Sequence, residues 1–304
     1  MQRELPNERK DKPSHVVRGL FYVDESIVNI MDRGHQMINI DNETLRKIQL
    51  VQLEMLQEVD RICKKCDIHY NIIAGTLLGA VRHGGYIPWD DDADVALLRD
   101  EYEKFRVACE TELDTTRFYF QDHRNTPGYR WGYGKIRRKD TLFLREFQEH
   151  MPYEQGIFID VFPLDAVPEN YILRSIKNFE CFCIRKVLWS EVGRIAHKSP
   201  LKRKWFHILS KIPEKWVFGY YHKVIRKAQK TNSKWVRILM FPTPNKEWAY
   251  LRKWYENSQD TEFEGIVFQG IKEYDEYLSF KFGSYMELPP EEKRKVHPVS
   301  ELRV

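Results

Sequence analysis

The chain has 304 residues, 42% hydrophobic and 31% charged, with 15 Gly, 14 Pro and a net charge of +4. That length buries a full core without disulfide or metal staples, and the composition excludes collagen-like, low-complexity and wholly disordered sequence. No run approaches the roughly 20 apolar residues of a membrane span, and the charged start, Met1 to Lys10, is not a secretory signal.

Residues 1–40 have no clean period, and Val16–Ile30 is expected to hold one or two lead-in strands. Asp41 then stands as an N-cap for a long amphipathic helix to about Cys66, with Leu45, Ile48, Gln52, Met55, Leu56, Val59, Ile62 and Cys63 at three- and four-residue steps. Ile68–Ala74 reads as a buried strand ended by Gly75, Thr76–Arg82 as a short helix broken by His83-Gly84-Gly85, and Asp92–Leu98 as an alternating strand. Asp100 is placed to cap a helix over Glu101–Glu112. Strands are expected at Arg117–Gln121, Tyr129–Arg137, Thr141–Phe147 and Gly156–Phe162, closed by Pro163 and Pro168. From Asn170 to about Lys230 the pattern is helical and increasingly basic. The expected fold class is α/β (α+β), a mixed sheet flanked by helices. Its parts are a lead-in over residues 1–40, an α/β core over 41–168, and a mainly helical remainder over 169–304 that packs on the core.

Five scattered cysteines and no export signal fit free thiols in a reducing, cytoplasmic compartment. Cys63-Lys-Lys-Cys66 resembles half a zinc site, but no second pair completes it, so both are read as helix-borne thiols. Between Lys198 and Arg237 there are twelve Lys or Arg and the single acid Glu214, a balance of +11 that leaves −7 for the rest of a +4 chain. The same stretch carries Trp205, Phe206, Trp216, Phe218, Tyr220, Tyr221 and Trp235. Basic charge among large aromatics suits peripheral docking on the anionic inner face of a cell membrane; the alternative is a solvated face whose rings pack on the core. Nucleic acid is not expected, because no recognition motif accompanies the charge.

The chemistry concentrates in Ala74–Ala96, which holds Asp90, Asp91, Asp92 and Asp94. Residues two apart on a strand face one side, so Asp92 and Asp94 project together, with Asp90 alongside if the strand starts early. Adjacent carboxylates repel, and a hard divalent cation with oxygen ligands relieves that repulsion. Gly75 lets backbone N–H groups approach a phosphate at the start of a helix, and Arg82 and His83 follow downstream. Asp160 sits inside the apolar strand Gly156–Phe162, where a charge is costly unless metal-bound or paired, as a third ligand or a general base. Asp165, after Pro163, reads as a turn acid or cap. A calcium loop is excluded because the Asp-x-Asp-x-Asp-Gly…Glu order is missing.

These residues resemble the LicD family of phosphotransferases, relatives of fukutin and the fukutin-related protein in the nucleotidyltransferase-fold superfamily. The resemblance rests on Gly75-Thr-Leu-Leu-Gly-Ala-Val-Arg-His-Gly-Gly-Tyr-Ile-Pro-Trp-Asp-Asp-Asp-Ala-Asp94, on Gly156-Ile-Phe-Ile-Asp-Val-Phe-Pro-Leu-Asp165, and on a tail from Phe282 to Pro298. Thr76 stands where Ser is common and keeps the hydroxyl. The resemblance implies a nucleotidyltransferase-like core and transfer of a phospho-alcohol (phosphorylcholine, or ribitol or glycerol phosphate) from a CDP-linked donor. The acceptor would be a hydroxyl of teichoic acid, lipopolysaccharide or capsule, with CMP leaving. It implies Mg²⁺, or Mn²⁺ in its place, on Asp92 and Asp94, donor phosphates on Gly75 and Thr76, and Asp160 as ligand or base. Arg82 and Lys135 are candidates for charge stabilisation, and the tail block is expected to pack over the site. Trp89, Trp131 and Tyr133 are candidates for a cation–π cage around a choline headgroup, with ordinary packing as the alternative. Rival readings are a nucleotidyltransferase that releases pyrophosphate and a non-catalytic glycan- or membrane-binding protein.

Overall fold

The computed structural model describes residues 38–304, so the strands expected in Val16–Ile30 lie outside the described residues. Asp41 caps the first helix, α1 (Asn42–Lys65), by accepting the Thr44 backbone N–H at 2.7 Å. The helix buries Leu45, Ile48, Met55, Leu56, Val59, Ile62 and Cys63 on the face that the three- and four-residue steps predict. Next come β1 (Asn71–Ile72), α2 (Ala74–His83), β2 (Asp94–Leu98), α3 (Arg99–Glu112), β3 (Phe118–Gln121), β4 (Gly134–Arg138), β5 (Leu142–Arg145) and β6 (Phe158–Ala166). Four helices follow: α4 (Tyr171–Leu188), α5 (Ser190–Ala196), α6 (Pro200–Leu209) and α7 (Glu214–Gln229). The chain then runs through β7 (Trp235–Arg237), β8 (Tyr250–Leu251), α8 (Lys253–Glu256), β9 (Ser258–Phe263), β10 (Ile266–Ile271), α9 (Tyr274–Phe282) and β11 (Val299–Arg303).

The fold is mixed α/β. The main sheet runs β3-β4-β6-β2-β1-β10-β9, with β7 and β8 attached through β6, and β11 pairs separately with β5. β2 lies parallel to β6 and β1 parallel to β10, while β3–β4, β4–β6, β1–β2 and β9–β10 are antiparallel. No helix among the described residues is long and apolar enough to cross a membrane. Cys63 and Cys109 are buried, and all five cysteines are free thiols.

Several elements depart from the sequence expectation for identifiable reasons. Helix α3 begins at Arg99 with no side-chain cap, and Asp100 lies in its first turn rather than at its cap. Arg99 is drawn into that turn by a paired contact with Asp165, Nε to Oδ1 at 2.8 Å and Nη2 to Oδ2 at 2.6 Å. Asp165 is therefore a buried strand residue, not a turn acid. Strand β6 also runs through Pro163 to Ala166 instead of ending there. The Asp160 N–H donates to Ala93 on the β2 side, so the nitrogen of residue 163 points to the opposite edge. On that edge β4 pairs only as far as Val161 and β7 starts at Asp165, so the missing proline N–H costs no ladder bond. Strand β4 starts at Gly134, five residues later than the expected Tyr129. Strands β9 and β10, inserted from far along the chain, complete a sheet that the sequence pattern placed within residues 41–168.

Candidate active site

Strand register builds the centre of the site. Lys135 on β4 is the cross-strand partner of Asp160 on β6, and Asp160 is the partner of Asp94 on β2. Directly paired residues share a sheet face, so the three charged side chains form one row across adjacent strands. Lys135 and Asp160 are both buried and form an ion pair, with the ammonium 3.4 Å from the Phe158 ring centroid. Lys135, set against the alternative of a solvated lysine, is thus the cation of the row. Its burial pulls the ammonium down to about 7 against the opposing charge of Asp160.

Asp90, Asp91 and Asp92 occupy the loop before β2, so Asp92 precedes the strand instead of lying on it. Two glutamines on the buried face of α1 hold this loop. The Gln49 side-chain amide donates to the Asp90 carbonyl at 2.9 Å, and that of Gln52 to the carbonyls of Asp91 at 2.7 Å and Phe158 at 3.2 Å. Burial, then the charge of Asp92, pushes the Asp90 carboxyl well above its ordinary range. Burial, then Asp92 and Asp160, raises Asp94 in the same sense, against the pull of Lys281 and Lys135. Asp92 is raised by burial and by Asp91 and Asp160, with His297 and Arg145 opposing. Three crowded carboxylates with raised affinity for a positive charge have the electrostatics of a cation site. As the side chains stand, no three His, Cys, Asp or Glu residues among those described converge into a ready cage. Mg²⁺ commonly needs only one or two carboxylates, with water and substrate phosphates filling its shell.

Asp91 turns the other way, toward the tail. Its carboxylate accepts the His297 backbone N–H at 3.0 Å and faces the His297 Nδ1 at 2.8 Å. Burial pushes this acid up, but the His297 charge and hydrogen bonds prevail and hold it below the carboxylate range. His297 Nδ1 also lies 4.0 Å from Asp92. The tail therefore reaches the acids through a residue that local sequence pattern does not tie to them.

Gly75 and Thr76 lie in the first turn of α2, not in a loop before it. Thr76 Oγ1 accepts the Asp94 backbone N–H at 2.8 Å, which fastens the helix start to the strand carrying the acid. A side chain at Gly75 would bring its Cβ within 2.6 Å of an Asp90 oxygen, so glycine leaves room for that carboxylate. Arg82 and His83 sit at the opposite end of α2, and at 1.5 Å per residue His83 is about 12 Å along the axis from Gly75. Arg82 Nη1 donates to the tail carbonyls of Tyr285 at 2.6 Å and Glu287 at 3.2 Å, and His83 is exposed. The Trp89 ring carries the Arg294 guanidinium at 4.8 Å, so tail and loop are clasped there too. Lys281 on α9, absent from the sequence-based set, contributes positive charge near Asp94. The sequence signal for it was a lysine between the aromatics Phe280 and Phe282, next to the tail block.

Beside the row opens a cavity of about 220 Å³, which Lys135 and His297 both line. Its wall carries the further cations Arg137, Arg145, Arg185 and Lys186 and the rings of Trp131, Tyr133, Phe158 and Trp189. Of the three rings considered for a cage, Trp131 and Tyr133 face this cavity and Trp89 does not. Cationic and aromatic walls together suit a ligand with both phosphate and a flat or cationic group.

A family description, "LicD/FKTN/FKRP, nucleotidyltransferase domain", matches residues 67–178, which span α2, the aspartate loop and the strands of the row. The lipopolysaccharide cholinephosphotransferase LicD of Haemophilus influenzae is 29% identical over 272 residues, 85% of this chain and 97% of the relative. An uncharacterized protein of Rickettsia prowazekii is 27% identical over 178 residues, 57% of this chain and 61% of the relative. Residues 67–178 of the chain thus match a LicD-family nucleotidyltransferase domain.

Proposed function

We propose that the protein moves a phospho-alcohol from a CDP-linked donor to a hydroxyl of a cell-surface glycan and releases CMP. Phosphorylcholine and a lipopolysaccharide acceptor are the first choice, because the relative matched over 85% of this chain is a lipopolysaccharide cholinephosphotransferase. The single observation that carries the reading is the Lys135–Asp160–Asp94 row, set between the crowded acids and the cation- and ring-lined cavity. Asp92 and Asp94 would hold Mg²⁺, with Mn²⁺ an alternative, and Asp90 lies alongside. The ion would neutralise phosphate charge and orient the groups in line.

In this reading the acceptor oxygen bonds to the phosphorus that bears the alcohol, and the bond from that phosphorus to the CMP oxygen breaks. The electron pair leaves with CMP. Asp160 takes the hydroxyl proton, and Lys135, bonded to its Oδ1, holds the carboxyl group in place. Arg137, Arg145 and Lys135 supply positive charge to the donor phosphates from the cavity wall. Tyr133 and Trp131 offer ring faces to a choline cation or a base.

Calorimetric titration with CDP-choline, CDP-ribitol and CDP-glycerol, each with and without Mg²⁺, tests this on wild type and on Asp92→Asn. One donor is expected to bind with Mg²⁺, and the variant is expected to lose that binding. Folded protein that binds none of the three defeats the reading. Binding of a nucleoside triphosphate with release of pyrophosphate would replace it with nucleotidyl transfer.

A further inference from the structure

The helices from α4 to α7 turn outward rows of apolar side chains. On α6 and just beyond it, Leu201, Trp205, Ile208 and Ile212 are exposed, Leu201 to 77%. The four- and three-residue steps from Leu201 to Trp205 and Ile208 place these three on one face of α6, with Ile212 just beyond its end. Helix α4 repeats that spacing with exposed Ile172, Ile176, Phe179 and Cys183. Trp216, 68% exposed, and Tyr220 stand one turn apart on α7. Tyr220 donates through its hydroxyl to Glu180 on α4 at 2.5 Å, which joins the α7 row to the α4 row. Apolar exposure on this scale marks an interaction surface rather than scattered surface residues.

The structure also sorts the residues of the basic aromatic segment. Phe206, Phe218, Tyr221 and Arg237 are buried, so three of the seven expected rings and one of the twelve cations are core. What remains outside includes Trp205, Trp216 and Tyr220 with the exposed lysines 198, 202, 204, 211, 215, 223, 227, 230 and 234 and Arg226. We infer that the outward rows of α6 and α7, with the α4 row that Tyr220 joins to α7, dock on an anionic lipid bilayer. The rings and aliphatic groups enter the boundary between headgroups and acyl chains, and the lysines meet lipid phosphates. Charge decides against a second copy of the chain, because a two-fold contact would set this lysine-rich face against itself.

The face backs onto the cavity wall. Trp189, which lines the cavity, packs edge-on against Phe206 with ring centroids 5.1 Å apart, and Phe206 is the buried reverse of the helix bearing Trp205 and Ile208. Docking therefore brings the cavity within one helix of the lipid surface. The docking itself does not depend on the transferase reading.

Co-sedimentation with vesicles of phosphatidylcholine, alone or with one quarter phosphatidylglycerol, tests it, with tryptophan emission as a second readout. The wild type is expected to bind the anionic vesicles with a blue shift, to leave them at high salt, and to bind neutral vesicles weakly. Trp205→Ser/Trp216→Ser and, separately, Ile172→Ser/Ile176→Ser are each expected to weaken binding about tenfold. Thermal melts check that both variants fold. Wild type that stays in the supernatant, binding indifferent to phosphatidylglycerol, or folded variants that bind like wild type would each overturn the inference. So would a dimer in sedimentation velocity that the tryptophan double variant dissociates, since the face would then belong to a second copy.

Discussion

His297, seven residues from the end of the chain, closes on Asp91 with two contacts, its backbone N–H at 3.0 Å and its ring Nδ1 at 2.8 Å. The carboxylate is 2% exposed, so it has little water to replace a lost partner. His297→Ala keeps the backbone bond but leaves one oxygen unsatisfied, which costs about 1–3 kcal/mol. Urea unfolding should show that loss, and donor affinity should fall with it, because the same ring stands 4.0 Å from Asp92. His297→Asn, which retains a donor, is expected to recover part of the stability. If His297→Ala unfolds at the wild-type midpoint, the tail does not latch the acidic loop.

The buried Lys135–Asp160 pair makes a different prediction, because desolvation governs it. Removing one member strands the other: Lys135→Met leaves the Asp160 charge without its cation in an interior strand and should cost about 3–5 kcal/mol. Replacing both, in Lys135→Met/Asp160→Leu, should recover most of that loss while abolishing activity. A cycle of the four proteins by urea denaturation measures the coupling. A single variant that costs under about 1 kcal/mol would mean that water reaches Asp160, and the ordered row would have to be given up.

The difference between these two pairs marks what was readable from sequence. The start of α1 and its buried face follow from Asp41 and the helical period, which are local signals. The acids Asp92, Asp94 and Asp160 stood out because carboxylates flanking or inside apolar strands are costly wherever the strands lie. Partners were harder to see. Lys135 and Asp160 are 25 residues apart and Asp91 and His297 are 206 apart, and no periodicity links such pairs. Asp165 was misread as a turn acid because Arg99, its counter-ion, belongs to another element. Strands β9 and β10 went unassigned because β9, at the sheet edge, alternates exposed polar residues with few buried ones. Gln49 and Gln52 could have been found, since polar residues on the inner face of α1 require buried partners.

A pH dependence should arise where the helical part meets the sheet. The His123 side chain, 4% exposed, stacks on Phe218 of α7 at 4.3 Å and lies 3.3 Å from the His222 ring nitrogen. Burial drives its pKa down from 6.5 to about 4, more than the neighbouring Asp122 charge raises it. Between those values the unfolded chain binds a proton that the folded chain refuses. Stability therefore rises with pH from about 4 to 6.5 and is lost as pH falls through that window. A shift of this size corresponds to about 3 kcal/mol. Urea denaturation of wild type and His123→Gln at pH 7 and pH 4 isolates the effect, since the other titrating groups are common to both. Wild type should lose about 3 kcal/mol more than the variant. Parallel losses would show that the imidazole takes up its proton within the fold, and the contact of α7 with His123 would then be open to water.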